Sequence, residues 1–391
     1  MVTERDIAYQ CAPVIVQKVN RNNPRGDFIT KVDFTEPGNL TSLTQNWRAV
    51  NAPVESQNQW DDILQNISAG SSLPFNHQLE PYVYYSVVET HTHYFILYAV
   101  YHPQDWESSE TPWHYQGPRW SAFGSEHEHD MEGALVVAKK RPCFKDLRAD
   151  AMITISHWWF YSYASWWLRD SHEEYKNVFA EPTENRYRDS RVNNEDIDGK
   201  LWAIWHIDEC EREIIRPKLY VQAKGHGIKG DKNSWGDEDR IIRYCPSLKN
   251  VDEPNFFSSN GENTHVKLLH KNSHEELYQP NNPNIRSEPE VYRYGLISLF
   301  EPNGLWANRD ETKVFLVNDN GQDCFIARKS RGAGFVPGAA KPPWSWNDRD
   351  DAHVCGELAL QPAHIVYNYL GGIREFSFEY IRNQYLGILC D

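Results

Sequence analysis

Residues 82–101 read YVYYSVVETHTHYFILYAVY, a run that is β-branched and aromatic almost throughout. Side chains of this kind suit a packed, pleated surface, so the run predicts a hairpin or two long strands with a turn at residues 89–92. Similar stretches recur along the chain. HEHDMEGALVVAKK (127–140) reads as a strand, ADAMITISHWWFYSY (149–163) as its neighbour, and RPKLYVQAKGH (216–226) as a further strand ending in a Gly-flanked histidine. Nearer the start, CAPVIVQKV (11–19) and DFITKVDF (27–34) read as two strands and a turn.

The expected fold is therefore mainly β: a single elaborated domain with a β-sandwich core at about 82–230 and N-terminal strands at 11–34. Between 38 and 79 the chain is polar and carries the helix-like NQWDDILQNI, which suits a surface excursion. Residues 169–200 are strongly charged and read as an exposed insertion. In the C-terminal extension, 290–391, GELALQPAHIVYNYL and EFSFEYIRNQYL have apolar spacing closer to helix than to strand.

Composition narrows the function classes. The formal charge is −15 and no Lys/Arg block stands out, which speaks against a nucleic-acid surface. No apolar run is long enough for a transmembrane segment, and MVTERDIAYQ lacks the features of an export signal. The expected compartment is cytoplasmic, or secreted if a leader has been removed; sequons at Asn39 and Asn66 would suit the second case. Seven scattered cysteines without a C-x-x-C pair predict reduced, structural thiols. There is no G-x-S-x-G, P-loop or dinucleotide fingerprint.

The densest chemistry lies in His127-Glu-His-Asp-Met-Glu132. Imidazole and carboxylate donors crowd a strand start there, and a divalent cation is the usual means of keeping neighbouring carboxylates ionised. Asp130 and Glu132 share a face in an extended strand; His127 reaches that side through the loop or a bulge. Asp105, at the end of the preceding strand, is the natural fourth ligand. Such a shell tolerates Ca, Mg, Mn or a transition metal. A solvated, charged strand end is the competing explanation.

HPQDW followed by EHEHDMEG resembles the Y-x-P-K-D and G-H-R-H-D-W-E elements of necrosis- and ethylene-inducing-like proteins, a β-sandwich family that holds a calcium or magnesium ion. The resemblance places Asp105, His127, Asp130 and Glu132 on that family's ligand positions. ITISHWWFYSY is similar to the strand with that family's A-H-G histidine, here His157. RPKLYVQAKGHGI resembles the P-x-V-Y-V-A-x-G-S-H-A strand of proteins related to vacuolar sorting protein 62. It covers about 82–230, and Met131 and Glu126 depart from the motif's Trp and Gly.

Two functions from different classes follow. One is a metal-dependent enzyme of hydrolase type, in which the ion polarises a substrate oxygen or activates water while His157 and His226 move protons or orient a small-molecule or glycan substrate. The other is a non-enzymatic cytolysin- or lectin-like protein that binds a glycan or sphingolipid headgroup at a membrane surface, with Trp106, Trp113 and Trp120 in contact. Other candidates read better as structure: His157 alone as a buried residue, His91 and His93 as surface residues rather than a second metal pair, and His129 as a packing residue. Trp344, Trp346, Asp348, Asp350 and Asp351 form a cluster better explained by a turn than by a sugar or calcium site.

Overall fold

Both faces of the 82–101 run are covered, which is why it shows so little polar alternation. A computed structural model describes residues 2–19, 27–31, 81–106, 126–157, 159–165, 198–208, 210–231, 240–248, 267–269, 290–302, 304–309, 314–317, 323–326, 342–346, 348, 356–370 and 376–389. The surface excursion at 38–79, the loop at 107–124 and the charged insertion up to residue 197 lie outside the described residues.

Helix α1 (Glu4–Cys11) opens the chain and is followed by β1 (Val14–Val19), β2 (Tyr82–Thr90), β3 (His93–Trp106), β4 (Glu126–Lys139) and β5 (Ala151–Ser156). Next come β6 (Trp159–Ala164), β7 (Gly199–Lys200), β8 (Ala203–Ile207), β9 (Glu213–Val221), β10 (Ile228–Lys229) and β11 (Arg240–Pro246). The C-terminal part adds β12 (Lys267–Leu269), β13 (Glu290–Ser298), β14 (Val314–Val317), β15 (Asp323–Ile326), α2 (Glu357–Leu360), α3 (Pro362–Tyr369) and β16 (Tyr380–Arg382). Among the described residues, twelve strands follow one another as β12-β8-β9-β1-β11-β13-β2-β3-β4-β5-β6-β7; β10 adds to β9, β16 adds to β2, and β14 and β15 form a separate ribbon. The fold is mainly β, as expected.

The sheet curls on itself. Although β10 hangs on β9, far from β4 and β5 in strand order, it packs against both. Inside the curl, Val83, Ile96, Tyr98 and Val136 meet Ile15, Leu219, Ile242 and Tyr244, so the two halves of the sandwich belong to one hydrogen-bonded sheet. The alternate residues Tyr84, Phe95, Leu97, Leu135 and Ile153 point outward, where Trp344, Trp346, Ile365 and Tyr369 bury them. Pleat parity explains this division: successive side chains take opposite faces, and each face has its own cover.

The expected turn at 89–92 is present, between β2 and β3. Two expectations need correction. Cys11 ends a helix rather than starting a strand: Thr3 and Asp6 close a capping box at its N-terminus, and the extended segment begins only after Pro13. At its C-terminal end the buried Arg216 donates through Nη1 to the carbonyls of Tyr9 and Ala12 at 2.5 and 3.2 Å. The second tail segment, EFSFEYIRNQYL, is mostly extended and irregular, with one 3-10 turn at Gln384–Leu386; its apolar residues serve β16 and the outer aromatic cluster, while the first segment forms the α-helices α2 and α3. Of the cluster formed by Trp344, Trp346, Asp348, Asp350 and Asp351, the last two lie outside the described residues. Both tryptophans are buried, and Asp348 accepts from Phe160 N at 3.2 Å and from the Tyr369 hydroxyl at 2.5 Å.

Gly133, paired with Ala99, has no room for a side chain: a Cβ would press on the Tyr98 carbonyl oxygen and lie 2.7 Å from the Trp346 ring. Overpacking of this kind typically costs about 1–3 kcal/mol. Gly133→Ala should lower unfolding stability by that amount in urea, and a midpoint equal to that of the wild type would show that the two strands can part at no cost.

Candidate functional site

A cluster of buried charged and polar groups lies where β3 and β4 face the turn between β9 and β10. Asp130 and Glu132, two apart in β4, both present fully buried side chains. His102 is the direct cross-strand partner of Asp130 and is equally buried. From the opposite side comes His226. Its Nδ1 lies 3.1 Å from Asp130 Oδ2 and its Nε2 3.0 Å from Oδ1 of Asp27, which also accepts from Lys224 N at 2.7 Å. The His226 and His102 rings stack with centroids 3.7 Å apart and planes 4° from parallel.

Glu132 is held by the backbone: Oε1 accepts from His157 N at 2.7 Å and Oε2 from Ile228 N at 3.2 Å. His157 Nδ1 is 3.5 Å from Oε1 of the same carboxylate. Unlike His102 and His226, His157 reaches solvent, with 23% of its side chain exposed. It sits at the tight turn from β5 to β6, and its φ of 59° lies in the left-handed region that non-glycine residues rarely adopt. Lys224 (71°) and His226 (51°) share that conformation. Local backbone strain of this kind persists only where surrounding contacts enforce it.

The glycines flanking His226 make room for His157. A Cβ on Gly225 would come within 2.7 Å of His157 Cε1, and one on Gly227 would crowd Ser156 Oγ and lie 3.1 Å from His157 Nε2. That space is therefore occupied by a neighbouring imidazole.

Charge is distributed unevenly over these rings. Burial alone would drive His226 toward neutrality, but hydrogen bonds to Asp130 and Asp27 and the charges of both carboxylates outweigh it and raise its pKa to about 10. His102 moves the other way, well below the ordinary imidazole range, through burial first and then the adjacent His226 charge, against the opposing pull of Asp130. A neutral imidazole thus stacks on a cationic one.

The chain brings Asp130, Glu132, His157 and His226 together as the sequence suggested. Asp105 and His127 are Cα partners across the same ladder, whose register continues without a shift from His102–Asp130 to Trp106–Glu126. The bulge expected at His127 is therefore not part of the described ladder. The side chains of 103–106 and 126–129, with Trp106 and His129 among them, lie outside the described residues, as do Trp113 and Trp120. Among the described residues, no group of three or more His, Cys, Asp or Glu is arranged to hold a metal ion. Asp27, His102 and Gln17 went unnoticed in the sequence reading; only His102 left a signal there, through its place opposite Asp130 in the predicted strand pair. Of His91 and His93, both expected at the surface, only His91 is exposed, in the turn 3.5 Å from Glu379; His93 is instead buried against Phe376.

No family model matches this chain, and no curated protein matches it. A solved structure described as "Toxin fold for microbial attack and plant defense" is similar at 12% identity, covering 44% of this chain and 53% of that chain, with a TM-score of 0.19. The match thus spans about half the length of that protein and is too weak to carry an argument about function. Among the described residues no helix is long and apolar enough to cross a membrane.

A histidine whose folded pKa is raised stabilises the fold fully below its unfolded value, about 6.5, and loses that contribution as pH climbs through the folded value. In chelator-treated protein, the stability difference between wild type and His226→Leu should be largest near pH 6 and shrink toward pH 10. Near pH 6 the variant should lose about 3–5 kcal/mol, because two buried carboxylates are left without their cation. Denaturant titrations across this range measure it; a difference that grew with pH would contradict the charge assigned to His226.

Proposed function

We propose that the protein binds a divalent cation at the β3–β4 end of its curled sheet and is a metal-dependent enzyme of hydrolase type. The observation that carries this reading is the convergence of three carboxylates and three imidazoles, from Asp27, β3, β4, the β5–β6 turn and the β9–β10 turn, all of them fully buried but His157. Clusters of perturbed titratable groups are costly to the fold and concentrate at functional sites. Their donor chemistry fits a divalent ion, since carboxylate oxygen and neutral imidazole nitrogen are ligands for Ca, Mg, Mn and transition metals alike.

In this reading Asp130 and Glu132 hold the ion; in the unshifted register the pleat puts positions 105 and 127, expected to complete its shell, on the other face of the ladder. Bound there, the cation would polarise a carbonyl, phosphoryl or glycosidic oxygen or lower the pKa of a water. His157 is the proton-transferring group, because it is the imidazole of the cluster that meets solvent and it lies beside Glu132. Glu132, fixed by two backbone N–H groups, orients that ring. His226 holds Asp130 and Asp27 in place. A small molecule or glycan is the substrate class that suits the site.

Protein purified under mild conditions should contain a near-stoichiometric divalent metal, and Asp130→Asn and Glu132→Gln should each lose most of it. A panel of ester, phosphoester and glycoside substrates with and without chelator then tests the reaction. Activity that survives chelation would remove the metal from the mechanism; retained metal without any turnover would move the reading to headgroup binding.

A further inference from the structure

The hydroxyl that precedes His157 has no part in the reading above. Ser156 ends β5 and its direct partner Trp159 begins β6, so His157 sits in a two-residue connection between them. Its left-handed backbone is one that tight hairpins usually give to Asn or Gly. Ser156 is buried, and its Oγ makes no hydrogen bond among the described residues. Gly227 shows what that hydroxyl faces. A Cβ there would meet Ser156 Oγ, come within 2.9 Å of Gln222 Oε1 and lie 3.1 Å from His157 Nε2, so three polar groups surround one spot. Gln222 is fixed beside it: its N donates to Gly227 O at 3.1 Å, and its carbonyl accepts at 3.3 Å from Gln17 Nε2, while Gln17 Oε1 faces His102 Nε2 at 3.1 Å.

The other nitrogen of the His157 ring, Nδ1, turns to the buried Glu132, whose carboxylate two backbone N–H groups hold in place. Ala134 faces Thr154 across the β4–β5 ladder, and Glu132 and Ser156 each lie two residues further on, on the same face. Hydroxyl, imidazole and fixed carboxylate follow one another as nucleophile, base and orienting group do. We propose that Ser156 is a nucleophile, with His157 as its base and Glu132 as the group that orients the ring, and that the substrate is a carboxylic ester cleaved through an acyl-enzyme. This rests on the proton-transfer role given to His157 above, and its attacking oxygen belongs to the chain rather than to water. Ser156 Oγ bonds to the acyl carbon as its proton passes to His157 Nε2; the bond to the alcohol oxygen breaks, and that oxygen takes the proton. Water then attacks the acyl group by the same route, releasing the carboxylic acid and restoring the hydroxyl. The Gln222 amide carries N–H donors for the oxyanion. Trp159, on the face of Ser156 and 37% exposed, is the surface for an apolar acyl group.

The test treats the full chain with an alkyl fluorophosphonate, which transfers its phosphonyl group to an activated serine with loss of fluoride, and locates the label by peptide mass spectrometry. Wild type should carry one label, on Ser156, with or without chelator, and Ser156→Ala should carry none. His157→Asn, a change that tolerates the left-handed backbone, should label about 100-fold more slowly, the usual scale for losing a general base. Trp159→Ala should raise KM for p-nitrophenyl butyrate more than it lowers kcat. An unlabelled Ser156 in wild type, or labelling of His157→Asn at the wild-type rate, would overturn the inference. Either result leaves the metal reading standing; that reading falls instead if the protein purified under mild conditions contains no divalent metal.

Discussion

One imidazolium between two carboxylates holds the polar end of the curl together. His226 joins Asp130 of β4 to Asp27, and Asp27 in turn accepts the Lys224 amide. Three segments remote in sequence thereby meet where apolar packing gives way. Breaking one partner in such an arrangement is more damaging than replacing all of it, because the remaining charges stay desolvated. The left-handed conformations of Lys224 and His226 follow from this demand: the turn must deliver the ring to both carboxylates, and the backbone takes the strained form that allows it.

A second buried cation further back along β9 is satisfied differently. Arg216 donates to two backbone carbonyls at the end of α1 and to Nδ1 of His206, and its guanidinium lies 4.5 Å from the Tyr9 ring centroid. Burial, together with the charge of Arg216, holds His206 down to about 3, so it stays a neutral acceptor. Helix carbonyls carry partial negative charge, and a guanidinium can meet several at once. Nε and Nη1 of Arg216 are bonded in this way, while its Nη2 has no hydrogen-bond partner among the described residues.

Strands were legible in the sequence wherever β-branched and aromatic residues ran together, as in 82–101, 127–140 and 216–221. Their sheet order was not legible, because parallel pairs such as β1 with β9 and β11 with β13 depend on long-range contacts that no local spacing encodes. Helix α1 escaped because its signal is a four-residue cap followed by an apolar stretch that also alternates, and in the tail the helix-like spacing of 375–386 proved to be aromatic packing on an outer face. Of the site, the Asp130–Glu132 pair and the two Gly-flanked or strand-end histidines could be read directly. Asp27 could not, since nothing near it in sequence distinguishes it from any turn aspartate.

Exposure separates the roles of the three imidazoles more sharply than their positions do. A group that passes protons to a substrate must exchange them with solvent, and His102 and His226 are sealed by their stack, by Gln17 and by two carboxylates. His157 is half-open, oriented by Glu132 and kept in place because Gly225 and Gly227 have no side chains to displace it. The Gly-His-Gly sequence therefore has two tasks at once: its histidine closes the buried charge network, and its glycines leave space for the ring that faces outward. A Cβ on Gly225 would press first on the His157 ring, whereas one on Gly227 would meet Ser156 Oγ and Gln222 Oε1 before reaching it.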